Sequence, residues 1–368
     1  MKKKWLTVIA FFLLAGCTQE TAKQTEKEPS VQASEEKAEA YWPTEDWKSI
    51  KPERVHMDQK KLDSMFEQIK NEEIPMEGLL VIRDGYIVAE QYGGGFDREK
   101  VHPVYSITKS LTSSLTGVAV KQGEIKSVDE KAVTYLDEKR IENVTEQKKA
   151  LTIKNFLTMT SGLPFPEQTE KGFYQSEQWK TFMEGADPAY YALSLPIQDD
   201  QNTWNYSTAD SAIASKIIQE AAGMPLAEYA EKHLFSHLGI KDVHWPADRS
   251  GTSLGGTGVE MKPRDIAKIG YLYMNNGKWE DQQLLPENWV KESTSPHADT
   301  NGNFEGDRYG YSFWLKKVGG YDTYRAMGLY GQYMVVIPEL DLIAVQTSSG
   351  MDIDPLLEEF VIPAVQDK

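Results

Sequence analysis

The chain has 368 residues, a formal net charge of −16, and a composition that is 40% hydrophobic, 11% aromatic and 26% charged. This excludes a disordered or collagen-like protein, and the length favours two domains or one domain with a large insertion. The negative charge argues against nucleic acid or an anionic membrane surface as a partner, and a single cysteine excludes an internal disulfide, Cys-based zinc sites and iron–sulfur clusters.

The first element is a leader. Lys2, Lys3 and Lys4 precede residues 5–15, which are apolar apart from Thr7. The run is too short to span a bilayer as a mature helix and suits the apolar region of a signal sequence. Leu14-Ala15-Gly16-Cys17 closes it and resembles the lipobox of bacterial lipoproteins; an ordinary secretory signal with a chance cysteine is the alternative. The resemblance implies that residues 1–17 are a signal peptide and that Cys17 is lipidated as the new N-terminus. A lipid-anchored, extracytoplasmic location at the cell membrane follows as an expectation. Residues 18–45 are mostly Glu, Lys, Gln, Ser, Thr and Ala, and are expected to form a flexible tether.

Beyond the tether, Leu62, Met65, Phe66 and Ile69 have helical spacing after Asp58, a capping residue, which predicts a helix over 58–71. Two short apolar runs then flank Arg83-Asp84-Gly85, a hairpin signal. Residues 106–121 and 209–222 are helical in pattern, with Gly223 as a C-cap, and 263–275 and 286–293 are proline-led helices. Residues 311–316, 333–337 and 342–347 are predicted strands. Asp352-Ile353-Asp354-Pro355 opens a last helix. The simplest architecture is α+β: an antiparallel sheet built from both chain ends, flanked by terminal helices, with a mostly helical domain inserted. Residues 46–115 and 250–368 would form the sheet domain and 116–249 the helical one. Pairing strands so distant in sequence implies slow, non-local folding.

Three segments carry chemistry. Ser106 and Lys109 are at i and i+3 near a helix start, so the lysine stacks one turn behind the hydroxyl. A serine hydroxyl needs a base, and a lysine serves only when burial and the helix N-terminus lower its pKa. Tyr206, in Trp204-Asn205-Tyr206-Ser207-Thr208, stands just before the next helix. Its phenol can relay a proton if a nearby ammonium lowers its pKa. The alternative is an ordinary aromatic anchor. The third is Tyr324-Arg325-Ala326-Met327-Gly328-Leu329-Tyr330-Gly331-Gln332, read as a connection between two strands, whose glycines allow close backbone approach to a ligand.

Together these segments resemble the serine β-lactamase and penicillin-binding-protein superfamily, and within it the class C-like esterases and 6-aminohexanoate-dimer hydrolases. The likeness runs over roughly residues 75–350. It includes Leu157-Thr158-Met159-Thr160-Ser161-Gly162-Leu163, Gly256-Thr257-Gly258-Val259 leading to Pro263-Arg264-Asp265, and Ile337-Pro338-Glu339. The resemblance implies a β-lactamase/transpeptidase-like fold. It makes Ser106 the acylated nucleophile, Lys109 its proton acceptor and Tyr206 the proton shuttle, with the backbone N–H groups of Ser106 and Leu329 as the oxyanion hole. Tyr105, Thr208, Trp314, Arg325, Gly328 and Tyr330 are pocket candidates.

Two departures from the family pattern steer the substrate. Thr208 replaces an Asn, and Ala326-Met327-Gly328 replaces Lys-Thr-Gly, which removes a cation that holds the substrate carboxylate in penicillin-type enzymes. Arg325 is the expected compensation. Ester or linear-amide hydrolysis is therefore favoured, without cofactor or metal, on a small-molecule or peptide acyl substrate. The rivals are a penicillin-binding carboxypeptidase or β-lactamase-like protein and a non-catalytic envelope receptor. Two other patterns read as structural. Gly251-Thr252-Ser253-Leu254-Gly255 lacks the strand and helix of a nucleophile elbow, and His233 and His237 lack a third metal ligand. Oligomeric state is not legible from the sequence.

Overall fold

The sheet begins at the predicted hairpin. Strands β1 (Met76–Arg83) and β2 (Tyr86–Tyr92) join through Asp84 (φ 49°) and Gly85 (φ 81°). This pair of left-handed residues is what a tight two-residue turn demands, and Asp-Gly supplies it with little strain. The structure is a computed structural model that describes residues 41–165, 167–169, 172–197, 203–302 and 306–366. The leader, Cys17 and most of the expected tether lie outside the described residues.

Six further strands complete the sheet: β3 (Ala298–Asp299), β4 (Arg308–Tyr309), β5 (Trp314–Val318), β6 (Tyr321–Gly328), β7 (Gln332–Ile337) and β8 (Leu342–Ser348). Among the described residues these eight strands pair antiparallel in the order β2-β1-β8-β7-β6-β5-β4-β3. The two chain ends meet where β1 pairs β8, with Leu80 opposite Val345 and Ile82 opposite Ile343. The expected α+β fold, an antiparallel sheet made from both ends, is the one observed.

The sheet is buried on both faces, which is why its strands read as continuous apolar runs although their period of two is intact. Leu79, Val81, Val335 and Ala344 pack on one face; Leu80, Ile82, Met334 and Val345 pack on the other. The first face is covered by α1 (Gln59–Asn71) and by the C-terminal turns, through Leu62, Met65, Leu357 and Val361. Asp58 caps α1 as predicted, its carboxylate accepting the Lys60 N–H at 2.9 Å. The opposite face carries α2 (Ile107–Gln122), α3 (Thr208–Ala222) and α4 (Pro263–Met274). Among the described residues no helix is long and apolar enough to cross a membrane.

Three local expectations change. The segment read as a connection is mostly strand β6, and only Leu329, Tyr330 and Gly331 form the turn to β7. Ala326 and Gly328 have weak strand preference, and pairing of 326–328 with β7 overrides it. The strand expected at 311–316 starts three residues later at Trp314, because Ser312 (φ 60°) turns back to donate its N–H to Leu157 O at 2.9 Å. The tether ends earlier than expected. Trp42 packs its ring 5.3 Å from that of Trp279, whose indole N–H donates to Thr44 Oγ1 at 2.9 Å.

Helix α2 sets the site, and it is buried along most of its length from Ile107 to Ala119. Most of its hydroxyls are admissible there because they find an acceptor, Ser113 being an exception among the described residues. Ser110 donates to Ser312 O (2.6 Å), Thr112 to Gly255 O (2.7 Å) and Thr116 to Thr112 O (3.0 Å). Gly117 lets the buried Trp289 lie against the helix: a Cβ there would stand 2.7 Å from three indole atoms. Replacing a mid-helix glycine by alanine ordinarily stabilises by about 1 kcal/mol. At Gly117 the clash outweighs that gain, so Gly117→Ala is expected to destabilise the fold by roughly 1–3 kcal/mol in denaturant titration. A variant as stable as the parent would show that the indole yields freely.

Candidate active site

Tyr105 adopts a left-handed conformation (φ 47°) immediately before α2, and Ser106 follows at the N-cap position. A serine there normally caps the helix with its hydroxyl. Ser106 caps nothing, because its Oγ is engaged by Lys109 Nζ at 2.8 Å, one turn further on. Two other chain segments complete the lysine's surroundings. Thr208, the first residue of α3, places Oγ1 at 2.9 Å, and Gly256 places its carbonyl oxygen at 2.9 Å. The ammonium's three N–H bonds thus have three acceptors, none of them a carboxylate. Lys109 is 1% exposed, and burial lowers its pKa to about 8 against the opposing charge of Glu167.

Tyr206 is held on the other side of the same group. Ser207 caps α3 by accepting the Asp210 N–H at 3.3 Å, which fixes the extended segment before the helix. Lys109 Nζ stands 4.7 Å from the centre of the Tyr206 ring, and Trp314 backs the ring at 5.2 Å. The expected lowering of the phenol pKa is not what the structure gives. Burial, then Tyr309 and Glu167, raise it well above its ordinary value, and a hydrogen bond with Ser106 only partly opposes this. Tyr206 therefore stays a neutral hydroxyl at physiological pH.

The third wall is the end of β6 and the turn after it. Met327, Gly328, Leu329 and Tyr330 line a cavity of ≈ 210 Å³ together with Ser106, Tyr206 and Trp314. A Cβ on Gly328 would lie 2.3 Å from Val104 O, so only glycine lets β6 run beside the segment that delivers Ser106. Tyr330 is 54% exposed at the rim. Of the remaining pocket candidates, Tyr105 stands edge-on to Tyr330 at 5.4 Å and is outside the lining, and Thr208 holds Lys109 from behind. Arg325 is not in the cavity. It is fully buried under the C-terminal turns, where Nη1 donates to Asp354 Oδ1 at 2.8 Å, so it cannot replace the absent lysine of the third segment.

Three participants are invisible at the level of spacing. Gly256 belongs to the glycine-rich loop that otherwise reads as a connection. Gly255 lies against α3, where a Cβ would be 2.1 Å from Ser211 O, and this contact carries the next carbonyl to Lys109. In the same loop Ser253 Oγ accepts the Ala227 N–H at 3.0 Å, a structural role. Glu167 is buried, lines the cavity and accepts the Thr208 N–H on Oε1. Tyr174 (φ 60°) also lines it, with its phenol pKa raised by burial and by Glu167 and held back by a hydrogen bond with Ser106. Neither Glu167 nor Tyr174 sits in a periodic element that would mark it. His233 packs on the Tyr229 ring at 4.5 Å, and among the described residues no group of three His, Cys, Asp or Glu is arranged to hold a metal ion.

Residues 62–359 match the family described as Beta-lactamase. A 6-aminohexanoate-dimer hydrolase of Paenarthrobacter ureafaciens is 22% identical over 300 residues, 77% of this chain and 75% of that protein. Among solved structures, a D-stereospecific amidohydrolase from a Streptomyces species is similar with a TM-score of 0.64 at 15% identity, covering 82% of this chain and 98% of that one. EstCE1, a hydrolase with promiscuous acyltransferase activity, is similar with a TM-score of 0.67 at 13% identity, covering 82% and 97%. With most of its length matched, the chain belongs to the β-lactamase family of serine hydrolases.

Proposed function

We propose that the protein hydrolyses an ester or linear amide through an acyl-enzyme at Ser106. The observation that carries this is the 2.8 Å contact between Ser106 Oγ and a wholly buried lysine whose pKa is lowered to about 8. In its neutral form Lys109 keeps two N–H bonds to Thr208 and Gly256 and turns its lone pair to the Ser106 hydroxyl. Ser106 Oγ attacks the carbonyl carbon and its proton passes to Nζ. The negative oxygen of the tetrahedral intermediate is placed at the N–H groups of Ser106 and Leu329. The leaving group takes the Tyr206 hydroxyl proton, which Lys109 replaces. Water then attacks the acyl carbon, Ser106 Oγ leaves with a proton, and the acid departs.

With Ala326 and Met327 in the third segment and Arg325 engaged by Asp354, no lining residue offers a cation to a substrate carboxylate. That supports ester or linear-amide substrates over β-lactams, in keeping with relatives named as amide hydrolases. The Leu14-Ala15-Gly16-Cys17 sequence supports a lipid anchor at Cys17 and an extracytoplasmic site of action.

Purified protein is expected to turn over p-nitrophenyl butyrate and to leave nitrocefin essentially untouched. Ser106→Ala should cut the esterase rate by at least about a thousandfold; a variant near parental activity would remove Ser106 from the chemistry. The pH profile follows from the base. Below about pH 8 Lys109 is protonated and unable to accept the serine proton, so kcat/KM should rise with pH to a plateau above that midpoint. Lys109→Arg, charged at every accessible pH, should be inactive throughout, whereas an unchanged profile would exclude Lys109 as the base. Cells grown with a labelled fatty acid should incorporate it into the protein, and Cys17→Ala should abolish the label; incorporation that persists in the variant would refute the anchor.

A further inference from the structure

Tyr330 stands at the mouth of the cleft and takes no part in the steps above. Its side chain is 54% exposed, and among the described residues it is the one large apolar side chain left so open. An exposed aromatic on its own needs no explanation. What sets Tyr330 apart is the backbone beneath it. Its φ of 64° is left-handed, a conformation that bulky residues seldom adopt and that persists only where surrounding contacts impose it. Those contacts are present. The Tyr330 carbonyl oxygen accepts the Gly350 N–H at 2.8 Å, Ser348 Oγ at 3.2 Å and Gln332 Nε2 at 3.3 Å. A Cβ on the next residue, Gly331, would lie 2.3 Å from Met351 O, so the turn is seated tightly on the segment after β8. Tyr105 repeats the pattern, with φ 47° and its ring edge-on to that of Tyr330 at 5.4 Å and 75°. Tyr330 thus presents a ring fixed from below and backed by a second ring.

The position of the two rings along the cleft decides which part of a substrate meets them. Tyr105 precedes Ser106 and Tyr330 follows Leu329, the two residues whose N–H groups receive the oxyanion in the reaction proposed above. Met327, at the other end of the same stretch of chain, packs with Tyr206 and Trp314. The leaving group lies at Tyr206, which protonates it, so the acyl chain runs the opposite way, past Leu329 to Tyr330. We propose that Tyr330, backed by Tyr105, is a subsite for an aromatic ring on the acyl side, so that the enzyme acts on esters or linear amides of arylacetic-type acids. This substrate class rests on the acyl-enzyme reading given above. Ring-on-ring contact in offset or edge-to-face geometry attracts beyond the area it buries, an advantage that a saturated ring of similar shape lacks. The lining offers no cation, so the ring that fits is an uncharged one.

The p-nitrophenyl esters of phenylacetic and cyclohexylacetic acid test the subsite, since they share a leaving group and differ only in the ring. For each, kcat/KM of the full chain is divided by the ester's own rate of hydroxide hydrolysis, which removes the difference in intrinsic reactivity. The parent should favour the phenylacetyl ester about fivefold. Tyr330→Leu keeps an apolar side chain without a ring and should bring the two to within about twofold, whereas Tyr330→Phe should keep the preference. No preference in the parent, or one that survives Tyr330→Leu, would overturn the proposal. A Tyr330-dependent preference for benzyl over cyclohexylmethyl acetate would also overturn it, by placing the ring on the leaving-group side. Ser106→Ala is assayed on the same esters. Turnover that survives this change, with the ring preference intact, refutes the acyl-enzyme alone; turnover that depends on Ser106 without a ring preference refutes the subsite alone.

Discussion

A lysine amine held in a dry site, with oxygen acceptors and no carboxylate in contact, is the constraint on which the rest of this structure turns. A buried lysine beside an acid would remain an ammonium, stable and inert. Lys109 instead meets two hydroxyls and one carbonyl, from Ser106, Thr208 and Gly256. These satisfy the charged form without trapping it. The hydroxyl of Ser106 becomes a proton donor to the amine once the charge is gone. Tyr206, kept neutral by the same burial, adds a second hydroxyl beside the amine, and in the proposed reaction protons move between neutral oxygen and nitrogen.

Holding that arrangement requires three chain segments to approach more closely than side chains ordinarily permit. Helix α2 brings Ser106 and Lys109, the start of α3 brings Thr208, and the loop before α4 brings Gly256. Glycine is used where backbones touch: Gly255 against Ser211 and Gly328 against Val104. The hydroxyl-rich face of α2 has the same logic, since Ser110 and Thr112 tie the helix to the Ser312 turn and to the Gly255 loop. The packing of helix α2 and the placement of Lys109, the proposed base, are one set of contacts.

What the sequence displays is what local chemistry determines. Asp84-Gly85 dictates a turn, Asp58 dictates a helix start, and the spacing of Ser106 and Lys109 dictates their stacking. The end of strand β6 is not displayed, because Ala326, Met327 and Gly328 become strand only through their pairing with β7. Arg325 stands next to cleft residues in the chain, yet its direction is decided by Asp354, 29 residues later. Gly256 and Glu167 enter through long-range packing, which leaves no periodic trace. The protonation of Tyr206 depends on burial, a quantity that motif spacing does not contain.

The pairing of β1 with β8 has a consequence for synthesis. Strand β8 (Leu342–Ser348) is translated long after β1, and it separates β1 from β7 in the sheet. A chain released before Leu342 has open edges on both of those apolar strands, and such edges invite association with other chains. Chains terminated before β8 are thus left without a closed sheet and exposed to proteases, so that β8 must be made before helix α2 can be packed in place.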